Sequence, residues 1–145
     1  MNISENIARL QHDQVVVKTT TVVIPIDVAN NKLFNFPTSG YTQLQGATVY
    51  GMSVRFNLDD GTRKTRLGKT LLALANAESA FLTIQANGNA YIKECPLLLF
   101  KTETKNVLFV PVFLENIDIS TSQLQLAESF GSTPDQQCEI TFFHL

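Results

Sequence analysis

The amino-acid sequence predicts an all-β protein, a single antiparallel β-sandwich of about eight strands with the topology of a jelly roll or a related Greek key. Two observations carry this prediction: segments with a two-residue hydrophobic period recur, and turn-forming residues separate most of them. The clearest such segment covers residues 47–58. Its apolar positions share one parity, which places one face of a strand in the core: Tyr50, Met52, Val54, Phe56 and Leu58. The uneven connections favour a sandwich over a regular meander.

Composition bounds the class of protein. A chain of 145 residues suffices for one domain with its own core. The net charge of -2 argues against coating nucleic acid by bulk electrostatic attraction. Cys95 and Cys138 lie in apolar stretches, so two buried thiols are expected, although spacing alone leaves a disulfide open. We see no signal peptide and no apolar run of 18 residues, and therefore expect synthesis in the cytoplasm and no membrane span.

Residues 1–13 are predicted to form a helical arm ahead of a β-sandwich domain over residues 14–145. Asn2 and Glu5 fit a helix start, and the helix is expected over residues 2–11. One face carries a narrow apolar stripe: Ile3, Ile7 and Leu10. We expect this stripe to dock either on its own domain or on a neighbouring subunit.

The first half of the domain opens with a Val-, Ile- and Thr-rich run that predicts a strand over residues 14–26. Pro25 cannot donate a ladder hydrogen bond, so the end of this strand is expected at a sheet edge or beyond the pairing. Residues 27–45 are predicted to be a long connection that holds a short apolar piece at 33–36.

A hairpin signal, Asp59-Asp60-Gly61, follows the strand at 47–58, and residues 62–67 are expected to return as its partner. Residues 69–78 are rich in Ala and Leu and are the most helix-like internal run, with a strand or an irregular turn left open.

The second half predicts a strand at 81–85, a tight turn at Asn87-Gly88 and an extended run at 90–101 bent at Pro96. Three more strands are predicted at 106–114, around 124–126 and at 137–144. In the last of these, the residues of one parity are apolar: Cys138, Ile140 and Phe142.

A basic cluster holds four of the eleven basic side chains: Arg63, Lys64, Arg66 and Lys69. One interpretation is a solvated hairpin whose charges deter edge pairing, and the other is a contact with an acidic partner or with phosphates. Nucleic acid is thus the less favoured partner. Gly68-Lys69-Thr70 resembles the end of a phosphate-binding loop, but that motif requires glycine where Arg63 stands.

No constellation in the sequence predicts a catalytic residue, a metal site or a cofactor. His12 and His144 have no ligand spacing, and a turn explains Asp59-Asp60 better than calcium binding. An enzyme is disfavoured, and a site assembled from distant strands stays open. Three aromatic residues flank the Pro-Thr-Ser-Gly turn and either bind sugars or partners or plug the end of the sandwich: Phe34, Phe36 and Tyr41.

The chain resembles small jelly-roll virion proteins of bacteriophages and prophages. Residues 44–58 and 90–100, the low charge, the Thr- and Gln-rich strands and the N-terminal arm carry this resemblance. It implies a capsid, vertex or decoration subunit, located in the virion, that forms homo-oligomers and binds other virion proteins. Residues 79–92 and 122–127 lack charge and proline, so we also expect exposed strand edges there that a partner covers. The alternative functions are a carbohydrate-binding or adhesin-like sandwich and an enzyme on a β-barrel.

Overall fold

The computed structural model describes residues 18–26, 30–37, 41–44, 46–57, 63–65, 67–87, 89–102, 107–127 and 136–145. The strands in these residues are β1 (Lys18–Ile26), β2 (Leu33–Asn35), β3 (Thr48–Arg55), β4 (Thr70–Leu71), β5 (Phe81–Ala86), β6 (Asn89–Pro96), β7 (Val110–Glu115), β8 (Ile117–Gln125) and β9 (Gln136–His144). A one-turn helix, α1 (Leu74–Ala77), and 3-10 turns at Thr42–Leu44 and Leu97–Phe100 connect them. The predicted helical arm, residues 1–13, lies outside the described residues.

Two stacked sheets form the sandwich, which confirms the predicted fold class. Sheet A has the order β1-β9-β3-β7, with the short β4 also paired to β9, and sheet B has the order β2-β8-β5-β6. Apart from β4, which is parallel to β9, the strand pairs are antiparallel and nested: β1 with β9, β2 with β8, β3 with β7, and β5 with β6. A chain that pairs from its ends inward in this way and winds into two sheets is a jelly roll.

The core between the sheets follows the two-residue period of the sequence. In β9, Cys138, Ile140 and Phe142 are fully buried, as their shared parity predicts. Pro25 lies in β1, an edge strand of sheet A, so its predicted edge position is also confirmed. The turn at Asn87-Gly88 is confirmed by the β5–β6 pair Ala86 and Asn89 that it joins, with Asn87 at a φ of 53°.

A β-bulge overturns the predicted parity at the start of β3. The register of β3 shifts between Val49 and Gly51 against both neighbouring strands. Val49 and Met52 are consequently both fully buried, whereas Tyr50 is half-buried outside the core. The prediction that Tyr50 faces the core is therefore wrong, because the extra residue reverses which parity points inward. Leu58 lies outside the described residues.

The predicted pairing of residues 62–67 with β3 is wrong. The neighbours of β3 are β9 and β7. Residues 63–65 instead pair with residues 69–71, and the Thr65 amide donates to the Lys69 carbonyl at 2.7 Å. A strand in the middle of sheet A needs an apolar inner face, which β9 has and the charged run 62–67 lacks. Residues 69–78 divide into β4 and α1, and the apolar piece at 33–36 contributes β2.

The predicted edges are also mostly wrong. Strands β5 and β8 contain most of the residues expected at an edge, yet both lie inside sheet B. The edge strands are β1 and β7 in sheet A and β2 and β6 in sheet B, so only the start of β6 fits the prediction.

Candidate functional site

Two described side chains of the basic cluster, Arg63 and Lys64, form hydrogen bonds to nearby residues of the same chain. The Arg63 guanidinium donates from Nη1 to the main-chain oxygen of Phe56 at 2.9 Å. The exposed Lys64 donates from Nζ to Thr70 Oγ1 at 3.1 Å, and Lys69 is exposed as well. The Gly68 amide donates to the Thr65 carbonyl inside the turn at 2.9 Å. Arg66 lies outside the described residues, and a contact of this cluster with phosphates or an acidic partner stays a prediction.

The three loop aromatics lie where strands β1 and β2 approach each other. Phe34 and Phe36 are only 5% and 1% exposed and belong to the core. The half-buried Tyr41 accepts a hydrogen bond on its hydroxyl from the Val23 amide of edge strand β1, at 3.1 Å. Of the two predicted roles, the burial of Phe34 and Phe36 agrees with filling the end of the sandwich rather than with binding a sugar.

The sheets contain buried or half-buried titratable side chains, among them His144, Cys95 and Cys138. His144 is buried, with Nε2 2.8 Å from Thr20 Oγ1 and Nδ1 3.0 Å from the main-chain oxygen of Leu145. Cys95 is half-buried and Cys138 fully buried, and both are free thiols. Burial raises the pKa of both thiols. For Cys138, burial and the nearby charge of Glu139 raise the pKa to about 12. His12 lies outside the described residues.

The outer side of sheet A carries a feature that the sequence did not predict, two neighbouring pairs of aromatic rings that we call the aromatic face: Tyr50, Phe109, Phe113 and Phe143. The rings of Tyr50 and Phe113 meet edge-on with centroids 5.9 Å apart, and those of Phe109 and Phe143 lie 5.0 Å apart. They come from β3, β7, β9 and the residue before β7, and therefore span three adjacent strands.

Gly51 lets the aromatic face lie flat on the sheet. It pairs with Phe143 of β9 on one side and with Pro111 of β7 on the other. A Cβ atom at this position would overlap the ring of Phe109. Glycine is thus required for the close approach of the Phe109 ring to the backbone of β3.

The aromatic face remains open to solvent on its outer side. Phe113 is 51% exposed, Tyr50 and Phe109 are half-buried, and Leu108, which precedes Phe109, is 72% exposed, whereas Phe143 at the β9 end of the face is only 9% exposed. Contiguous apolar surface of this kind commonly marks an interaction site. The signal in the sequence is that residues 107–114 are apolar on both parities, which a strand with one solvated face does not need.

Among the described residues, the outer side of sheet B is polar along the middle of its strands, whereas at one end Leu33 and Phe81, both paired with Gln125, are 44% and 39% exposed. Gln123 Nε2 donates to Asn35 Oδ1 at 3.1 Å, and Thr121 Oγ1 donates to Gln85 Oε1 at 3.3 Å. The Thr83 hydroxyl accepts a hydrogen bond from the Glu94 amide at 3.1 Å. These side chains satisfy one another across strands and also remain accessible to water.

Sheet A also holds an ion pair farther along its outer side. Arg55 of β3 and Glu139 of β9 are directly opposite in the register, and Arg55 Nη1 lies 2.8 Å from Glu139 Oε1. Glu139 is only 4% exposed, and the Arg55 guanidinium offsets part of the cost of burying its carboxylate.

Known proteins supply no further guide to the site, because the chain matches no family model, no curated protein and no solved structure. Among the described residues, no group of three or more His, Cys, Asp and Glu side chains could hold a metal ion. The same part of the chain contains no helix that is long and apolar enough to cross a membrane.

Proposed function

We propose that this protein is a structural subunit that self-associates and binds other structural proteins, and that it is a capsid, vertex or decoration subunit of a bacteriophage or prophage particle. The observation that carries this proposal is the aromatic face. Each Å² of apolar surface removed from water contributes about 25 cal/mol. Covering Phe113 and the neighbouring rings therefore favours association.

The strand order supports the same proposal by analogy. Jelly rolls occur in viral capsid proteins and also in lectins, so the fold by itself does not choose between assembly and sugar binding. The location of the aromatic face at edge strand β7 favours assembly. Because Pro111 removes one backbone donor from that edge, we expect the contact to form through packed side chains rather than through added strands.

Sedimentation velocity over a range of protein concentrations tests self-association. We expect the wild type to form complexes and Phe113→Asp to remain monomeric, because a buried, unpaired carboxylate opposes association. Gln125→Asp is the matched control, since Gln125 is exposed on β8 of the opposite sheet. A wild type that stays monomeric even with the other particle components, or equal losses in both variants, would contradict the proposal.

The virion assignment has its own test. Particles purified from a host that encodes this chain are expected to contain it at a fixed copy number, measured by quantitative mass spectrometry. Particles without the chain would refute the virion assignment.

Carbohydrate binding is the second candidate, and a groove beside Phe34 is the observation that favours it. The groove encloses about 330 Å³ between Pro25, Leu33 and Pro37, with the amides of Asn31 and Asn35 at its walls. This volume lies at the lower end of the usual range for small-molecule sites. Binding on a glycan array that is lost in Leu33→Arg would support this candidate, and an array without binding would remove it.

A further inference from the structure

We propose that the N-terminal arm of one copy packs its apolar stripe, Ile3, Ile7 and Leu10, on the aromatic face of a neighbouring copy. The inference rests on the proposed self-association and names the two surfaces that meet. Each copy would contribute one arm and receive one, so the contact can close in a symmetric oligomer.

The two surfaces match in chemistry and in length. An amphipathic helix that binds a protein uses apolar residues at the i, i+4 and i+7 positions, which is the spacing of the stripe. Seven residues of helix rise by about 10 Å. The aromatic face runs from Phe143 on β9 to Phe113 on β7, two strands away, which is also about 10 Å. Aliphatic side chains on the arm can therefore reach the accessible rings on β3 and beside β7, with the buried Phe143 at the far end of the face.

The point where the arm joins the domain lies close to the aromatic face. Lys18 begins β1 and pairs with His144, and Thr19 pairs with Phe143, a member of the face. Seventeen residues precede Lys18. The predicted helix ends at Gln11, and β1 begins at Lys18. The six residues between them, 12–17, span about 20 Å when fully extended.

The composition of the connecting residues favours a neighbour over the same copy. The first 24 residues contain neither glycine nor proline, and residues 15–17 are three consecutive valines. Valine favours extended backbone, whereas a return onto the outer side of the same sheet requires a turn. If residues 14–17 are extended, as the sequence predicts, they would continue the direction of β1 and lead the arm beyond the end of its own sheet.

Disulfide cross-linking between two differently tagged full-length chains tests the contact. Both chains carry Cys95→Ser, and Cys138 stays in place because it is fully buried. One chain carries Ile7→Cys and the other Phe113→Cys, with Ile3→Cys as a second arm variant. Arg9→Cys, on the opposite side of the predicted helix, and Gln125→Cys, on the outer side of sheet B, are the matched controls.

We expect a disulfide between the two tagged chains for Ile7→Cys or Ile3→Cys with Phe113→Cys, and its loss when either partner is replaced by its control. Equal cross-linking of the controls, or no cross-link in either arm variant, would overturn the proposal. So would a disulfide that forms only within single chains carrying both cysteines. The mass of the wild-type protein, measured by light scattering, separates the two proposals: wild-type complexes together with no cross-link overturn the arm contact alone, and wild-type monomers overturn self-association too.

Discussion

The outer sides of the two sheets differ although their inner sides follow the same rule. Sheet B presents hydroxyl and amide groups that bond across strands, such as Asn35 with Gln123. Sheet A presents the aromatic face and, farther along, the ion pair of Arg55 with Glu139. Polar groups occupy the middle of the first surface, and the exposed Leu33 and Phe81 lie only at one end of it, whereas aromatic rings cover three adjacent strands of the second.

This difference shows that a jelly roll can form an interaction surface on the outer side of one sheet, without a cleft. The inward residues are committed to the core, so an outward side chain is free to differ between the sheets. A surface selected for water alone would alternate with polar residues, as β8 does. The apolar outer side of β7 departs from that rule, and covering it is the simplest physical reason for the departure.

Removing Arg55, the ion-pair partner of Glu139, is expected to give the largest change in stability. Arg55→Met removes the ion pair of the buried Glu139 carboxylate, and we expect the free energy of unfolding to fall by about 2–3 kcal/mol, less than for a fully buried pair because Arg55 is partly exposed. Urea denaturation measures this change. Lys93→Met, at an exposed position of β6, is the control and should change stability by less than about 0.5 kcal/mol. Equal effects of the two substitutions would show that sheet A has no special dependence on the pair.

Adding a methyl group beneath the aromatic face is expected to have the next largest effect. Gly51→Ala places a Cβ atom in the ring of Phe109, and overpacking of this kind costs about 1–2 kcal/mol. Thermal or urea unfolding gives the value, with Ser53→Ala, the next outward position on β3, as the control. The double variant Gly51→Ala, Phe109→Ala should recover part of the loss. If Gly51→Ala alone is neutral, the ring does not lie against β3.

Removal of a polar pair from sheet B is expected to cost less. Asn35→Ala deletes the acceptor for Gln123 on a solvated surface, where water replaces the lost partner. We expect a loss of about 0.5 kcal/mol in urea denaturation. A loss as large as that of Gly51→Ala would mean that the polar side of sheet B is a structural network rather than a solvated surface.

The smallest expected effect is a pKa change at Asp118 on the same sheet. Its carboxylate accepts a hydrogen bond from the Ser120 hydroxyl at 2.6 Å, which lowers its pKa. Because the folded pKa lies below the unfolded one, this bond stabilises the fold above about pH 4 and the contribution is lost as the pH falls through the folded pKa. NMR titration of Ser120→Ala should show the pKa of Asp118 rising toward its ordinary value, and an unchanged pKa would contradict this.

The sequence predicts those parts of the fold that depend on local alternation. The inward residues of β9 and the turn at Asn87-Gly88 follow from period and turn chemistry alone. The bulge at Tyr50 does not, because the extra residue is defined only against the partner strands β7 and β9. The partners of β3 are likewise remote in sequence. The local hairpin signal at Asp59-Asp60-Gly61 predicts pairing with residues 62–67, whereas β3 pairs with β7 and β9.

The candidate site was harder to predict than the fold. Phe34 and Phe36 flank a turn in the sequence, which left binding or a plug as their role, and both are buried in the core. The aromatic face draws its members from positions 50, 109, 113 and 143, so only the pairing of β3, β7 and β9 brings them together. Periodicity reports which residues face away from the core, but not which of them become neighbours.

Hydrogen exchange on the protein at assembling and at dilute concentrations tests the central claim most directly. If the aromatic face is the contact surface, amides of β7 (Val110–Glu115) and of the start of β3 gain protection on association, while those of β2 and β8 do not. Protection confined to sheet B, or an exchange pattern that does not change with association, would contradict this account.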